Sequence, residues 1–66
     1  MGVMTPKAFT SWLADMRAAG LASSDAHCGR LLGRTPQWVQ LAKARGTDTA
    51  TALACAALMA GLPAYA

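Results

Sequence analysis

The sequence predicts an all-α fold, and three observations carry that expectation. Sixteen of the 66 residues are alanine, the strongest helix former. Apolar residues make up 55% of the chain and charged residues only 14%, a balance suited to a packed core and too hydrophobic for a disordered tail. Thr-Pro pairs and glycines punctuate the chain at the intervals of short helices, and no alternating apolar–polar run suggests a strand. A chain of this length supports one domain, taken as residues 1–66, and buries only ~60% of its unfolded surface.

Each element has a start and a stop. Thr5-Pro6 is an N-cap with proline at the first helical position, and Phe9, Trp12, Leu13 and Met16 then recur at helical spacing until Gly20, which predicts a first helix over 6–19. Ser24 caps a short second helix over 25–32, with Asp25 favourably placed at its positive end and Gly33 as its stop. Thr35-Pro36 repeats the opening signature and begins a third helix over 36–44, closing at Gly46 with Lys43 and Arg45 in or near its last turn. Thr47 or Asp48 caps a fourth, alanine-rich helix over 48–60, ended by Gly61 and Pro63. The connections are very short, so function must lie on a helical surface.

Several chemistries are poorly supplied. Six Lys/Arg stand against three Asp and no Glu, giving a net charge of +3, and a basic balance favours an acidic partner. With one histidine and three Asp on separate segments, no acid–base pair forms, so no catalytic residue is assigned and the chain is taken as a non-enzyme. His27 and Cys28 are neighbours, but adjacent helical positions point about 100° apart and zinc needs three or four ligands, so neither metal nor cofactor is expected. Cys28 and Cys55 lack the dense spacing of a disulfide scaffold and read as free thiols in a reducing cytoplasm. The amino end has no signal-peptide pattern. The most apolar stretch, 50–62, falls short of the ~20 residues that span a bilayer, so a soluble cytoplasmic protein without a membrane partner is expected.

The informative stretch is 25–43, where two short helices are separated only by Gly33, Arg34 and Thr35, the spacing of a helix-turn-helix. Two helices crossing steeply need small residues in the middle of the first, a turn residue tolerant of positive φ, and an inward branched aliphatic in the second. Cys28-Gly29, Gly33 and Val39 supply these in order. Together with Gly20-Leu21, Ser24, Arg30-Leu31-Leu32-Gly33, Thr35 and Val39-Gln40, the pattern resembles the Cro and lambda-repressor-like (XRE-type) family of helix-turn-helix DNA-binding proteins over most of the chain. The chain departs from the family at Arg34, where an apolar residue is common, and at Ala42, which is usually large; Pro36 and Trp38 are unusual at the start of a recognition helix. Trp38 is expected to fill the space that Ala42 leaves.

The resemblance implies a sequence-specific transcriptional regulator. Stand-alone domains of this kind are common in phages and mobile elements, including repressors associated with anti-CRISPR operons. Charge placement agrees, since Arg30, Arg34, Lys43 and Arg45 lie in a block with no acid between Asp25 and Asp48. With the third helix in a major groove, Val39 and Ala42 face inward, while Gln37 and Gln40 can pair with adenine and Leu41 can meet a thymine methyl. Arg30, Arg34, Thr35, Lys43 and Arg45 are the expected phosphate contacts, joined by the helix-two N-terminus at Ser24 and by the Trp38 indole N–H, with one ring face buried. The plainer readings are solvated glutamines and a packing tryptophan.

Helix four suggests a second copy. Ala50, Leu53, Ala54, Ala57 and Leu58 form the stripe expected to pack on the other helices, yet its other side is also apolar. A homodimer through Cys55, Ala56, Met59, Leu62 and Tyr65 would cover the excess and read an inverted-repeat operator. The chain has no room for an effector pocket, so autorepression governed by concentration is the expected control, with no small-molecule effector. The alternative is a small protein-binding module, such as a phage inhibitor or antitoxin-like adaptor, docking through helix four and Trp38.

Overall fold

The computed structural model describes residues 4–62, most of them in four helices: α1 (Pro6–Ala18), α2 (Asp25–Leu31), α3 (Pro36–Arg45) and α4 (Thr49–Met59). The all-α expectation holds, with boundaries displaced by one residue. Ala19, Leu32 and Ala60 become C-caps, α3 runs on to Arg45, and α4 starts at Thr49.

One device starts all four helices. The side chain of the N-cap residue accepts a hydrogen bond from the amide three residues on: Thr5 from Ala8 (3.1 Å), Ser24 from His27 (3.1 Å), Thr35 from Trp38 (3.1 Å) and Asp48 from Thr51 (2.9 Å). Each satisfies an amide that the helix itself leaves unpaired. Between Thr47 and Asp48, the sequence alternatives, Asp48 is the cap.

The helix ends follow two patterns. At the close of α2, Gly33 takes φ +73°; its amide donates to Arg30 O (3.0 Å) and the Arg34 amide donates to Gly29 O (2.8 Å), the paired bonds of a Schellman motif. The ends of α1 and α4 repeat that geometry. The end of α3 does not. Gly46 leaves the helix at φ +81°, ψ −172°, and the next residue, Thr47, exchanges both backbone hydrogen bonds with Met4 (3.0 and 2.9 Å) in an isolated antiparallel bridge. A Cβ at position 46 would strike the Met4 carbonyl and the Pro6 ring, so glycine is required there for space as well as for φ. This bridge ties the amino-terminal segment to the α3–α4 junction, and no pattern in the sequence predicts it.

The core is one cluster with a contribution from every helix: Phe9, Trp12, Leu13 and Met16 from α1, Cys28 from α2, Val39 and Ala42 from α3, and Cys55 from α4, joined by Ala22. Aromatic rings form its centre. Phe9 lies 5.6 Å from Trp12 and meets Trp38 edge-on at 5.8 Å, an arrangement that adds to the area buried. Trp38 is half-buried against this cluster. The Trp12 indole N–H donates to the Cys55 carbonyl (3.1 Å) and fastens α4 to α1.

Helix four is rotated relative to the sequence expectation. Thr51 and Cys55 are buried, Leu58 and Met59 pack against the core, and Leu53, placed inward by the sequence, is 67% exposed. Cys55 and Met59 therefore belong to the interior side and are corrected as interface residues; Ala56 and Leu62 are exposed, and Tyr65 lies outside the described residues. The physical reason is the uniformity of the helix, in which small apolar residues occupy almost every position and none of them marks a face.

Helices α2 and α3 meet at Gly29. A Cβ there would lie 2.6 Å from Val39 Cγ2, so the buried Gly29 accommodates the valine directly. Gly29→Ala gains about 1 kcal/mol of helix propensity against an overpacking cost of about 1–3 kcal/mol. The expected outcome in urea unfolding is a net loss of up to about 2 kcal/mol, with Gly29→Ala/Val39→Ala less destabilised than the sum of the two single variants because the sites couple. A Gly29→Ala protein more stable than the parent would contradict the close approach.

Candidate nucleic-acid interface

With Val39 and Ala42 buried, the opposite side of α3 carries Gln37, Gln40, Leu41 and Ala44, all exposed. Their spacing of i, i+3, i+4 and i+7 places them on one helical face. Leu41 is 52% exposed, an apolar side chain presented between two amides. This face stands clear of the other helices because the Gly29–Val39 contact turns the apolar stripe of α3 inward.

Basic side chains flank the face unequally. Arg30 and Arg45 are exposed at the ends of α2 and α3. Arg34, also exposed, is held at two points: its amide donates to Gly29 O (2.8 Å), and its guanidinium sits 5.2 Å from the centroid of the Trp38 ring. Cation–π contact of this kind orders the guanidinium while leaving N–H groups free to donate. Trp38 thus links the core, through Phe9, to a surface cation.

Lys43 differs. Its Nζ donates to Asp25 Oδ2 at 3.2 Å, and Asp25 Oδ1 lies 3.6 Å from Arg17 Nε. The second distance is an ion pair but too long for a hydrogen bond, which leaves the buried Oδ1 without a hydrogen-bond partner. One carboxylate on α2 therefore holds cations from α1 and α3. Ser24 and Thr35, both expected at phosphates, have their side-chain oxygens engaged as helix caps, and the first residue after Ser24 is the acidic Asp25. The basic block of the sequence is in this way tempered by the fold.

At the other edge, Asp48 lies beside an open groove of about 210 Å³ lined by Leu32, Arg34, Asp48, Ala50, Thr51 and Ala54. The Thr51 amide bonded to Asp48 holds its carboxyl below the ordinary aspartate range, and the Arg34 charge lowers it further. Burial pushes the Cys28 thiol up, assisted by the Asp25 charge, and pushes the Cys55 thiol up to about 11. Both cysteines are free and buried, the setting of packing thiols. His27 accepts at Nδ1 from the Ser23 amide (3.0 Å), which puts the ring proton of the neutral form on Nε2. Among the described residues, no three His, Cys or acidic side chains converge on a metal-sized site.

No family model, curated protein or solved structure matches the chain. Among the described residues, no helix is long and apolar enough to cross a membrane. The fold brings Gln37, Gln40 and Leu41 together on one face, with Arg30, Arg34 and Arg45 exposed on the same two-helix unit, and draws Lys43 aside. Sequence reasoning missed the Arg17–Asp25–Lys43 cluster, whose members are too far apart in the chain to signal one another.

The Asp48 cap has a signed pH dependence. Because its carboxyl is held low only in the folded chain, its contribution is complete above the unfolded aspartate range and is lost as pH falls through the folded value. Asn caps as well as Asp, so Asp48→Asn is expected to melt near the parent temperature at about pH 7 and to show a shallower fall in melting temperature below about pH 4. Equal acid slopes for the two proteins would contradict the assignment.

Proposed function

We propose that the chain is a sequence-specific DNA-binding regulator that presents α3 to the major groove. The observation that carries this reading is the exposed face Gln37–Gln40–Leu41–Ala44 on the second helix of a helix-turn-helix. A glutamine amide matches the N6 and N7 edge of adenine, and a leucine side chain matches the thymine methyl. Arg30, Arg34 and Arg45 supply phosphate contacts that orient the helix without reading sequence. The Trp38 ring supports Arg34 from beneath, and its own indole N–H is a further donor for the backbone. The thiols and the DNA target fit a cytoplasmic protein, and occupation of its own promoter, excluding polymerase, gives autorepression.

A helix of ten residues is roughly 15 Å long and reads only a short half-site. Two copies related by a two-fold axis read half-sites about 34 Å apart, which calls for an inverted repeat. The second copy is assigned to the outward side of α4, where Leu53 is 67% and Leu62 58% exposed and no charged residue occurs between 49 and 62. A charge-free patch can meet its own copy without like-charge repulsion, although each molecule carries +3. The same surface supports the second reading, a module that docks on another protein.

Gln37→Ala or Gln40→Ala is expected to relax base preference by about 1–3 kcal/mol at one position. Arg45→Ala is expected to weaken every duplex and lower the salt slope by about 0.9. Anisotropy titrations against selected and scrambled duplexes check both, and unchanged affinities in all three variants would remove α3 as the reading helix. Leu53→Asp is expected to shift the protein from dimer to monomer in sedimentation equilibrium with its helix content retained. A parent protein that is monomeric at high concentration would remove the dimer.

A further inference from the structure

We infer that Asp25 is a built-in counter-ion of the proposed DNA surface, and that it restrains sequence-independent binding by pairing with Lys43 and Arg17 in the free protein and cancelling one of their two charges. This rests on the DNA-binding reading and concerns how strongly that surface adheres to any phosphate backbone.

The cluster is poorly explained as a stabilising device. The side chains of Arg17, Lys43 and Asp25 are 51%, 33% and 26% exposed, and pairs that water still reaches contribute modestly to folding. Asp25 Oδ1 is buried yet lacks a hydrogen bond, with only Arg17 at 3.6 Å to balance it, an arrangement that carries an unrecovered desolvation cost. A carboxylate kept on those terms is more informative about charge than about packing. It stands in the first turn of α2 and reaches the last turn of α3. Without it, the basic surface of the helix-turn-helix would extend from Arg30 and Arg34 through Lys43 and Arg45.

The consequence follows from counter-ion release. Affinity for duplex DNA rises with the number of cations that exchange small ions for phosphates. Lys43 and Arg17 already hold a tethered anion, so a phosphate must displace Asp25 rather than a mobile ion, and the gain from doing so is small. Base contacts through Gln37 and Gln40 are unaffected by this competition. Asp25 therefore lowers affinity for all sequences by a common factor and leaves discrimination at the bases, and so the ratio of specific to non-specific binding, intact, which limits how strongly the surface adheres to any backbone.

The test is fluorescence anisotropy of a labelled mixed-sequence duplex over a salt series, with the parent chain, Asp25→Asn, Lys43→Gln and the double variant. Circular dichroism checks that each is folded. Asp25→Asn is expected to bind several-fold more tightly at low salt, with a log–log salt slope steeper by about 0.9 for each cation released. Lys43→Gln alone should leave the slope almost unchanged, and in the Asp25→Asn background it should remove one cation's share of the gain. A folded Asp25→Asn protein with the parent slope, or a Lys43→Gln slope lower by about 0.9, would overturn the inference while leaving DNA binding in place. If Asp25→Asn does not fold, the Lys43→Gln result decides alone. Absence of any duplex binding by the parent chain would overturn the DNA reading and the inference together.

Discussion

The missing side chain at Gly29 is the constraint on which the rest of the surface depends. Val39 Cγ2 lies 2.6 Å from where a Cβ would be, so α2 and α3 approach more closely than two side-chain-bearing positions allow. The same residue also organises the turn, since its carbonyl accepts from the Leu32 amide (3.1 Å) and the Arg34 amide (2.8 Å). Contact and turn are thus set by one position. Once Val39 is committed inward, the helical period leaves Gln37, Gln40, Leu41 and Ala44 outside with no further instruction. Glycine weakens a helix by about 1 kcal/mol relative to alanine, a cost consistent with its use only where a close approach demands it.

Around that joint the fold arranges contacts on three sides. The aromatic cluster carries rigidity outward, from Trp12 through Phe9 and Trp38 to the Arg34 guanidinium. Asp25 links α1, α2 and α3 through ion pairs. The Met4–Thr47 bridge fixes the exit of α3 by pairing it with the segment that precedes α1. A small domain has little core with which to hold a surface helix in register, and the aromatic cluster and the backbone bridge complement it, whereas the Asp25 pairs bear on charge more than on stability. They also show why charge counted along the chain overstates the charge a partner would meet, because both acids that bracket the basic block fold back toward it.

Much of the fold was legible because helix starts and stops are local chemistry. Thr5-Pro6, Ser24, Thr35-Pro36 and Asp48 each place a side-chain acceptor within reach of an amide three residues away, and this needs no tertiary information. The inward pair Val39 and Ala42 was legible from helical period once the turn was placed. The orientation of α4 was not, since a run such as Ala54-Cys55-Ala56-Ala57 offers no contrast between faces; the side that packs carries Thr51 and Cys55, where the Trp12 indole donates to the Cys55 carbonyl. The Arg17–Asp25–Lys43 cluster and the Met4–Thr47 bridge were hidden for a related reason. Both join residues distant in sequence, and neither residue type announces its partner. In the candidate interface, the face of α3 was therefore readable and the state of its neighbouring charges was not.

The most direct measurement is amide chemical-shift mapping of the intact chain titrated with the duplex that lies upstream of its own gene. The account predicts perturbations centred on Gln37, Gln40, Leu41 and Ala44, extending to Arg30, Arg34 and Arg45, with the core amides of α1 little changed. Perturbations confined to the Leu53 side of α4, or none at saturating duplex, would contradict it.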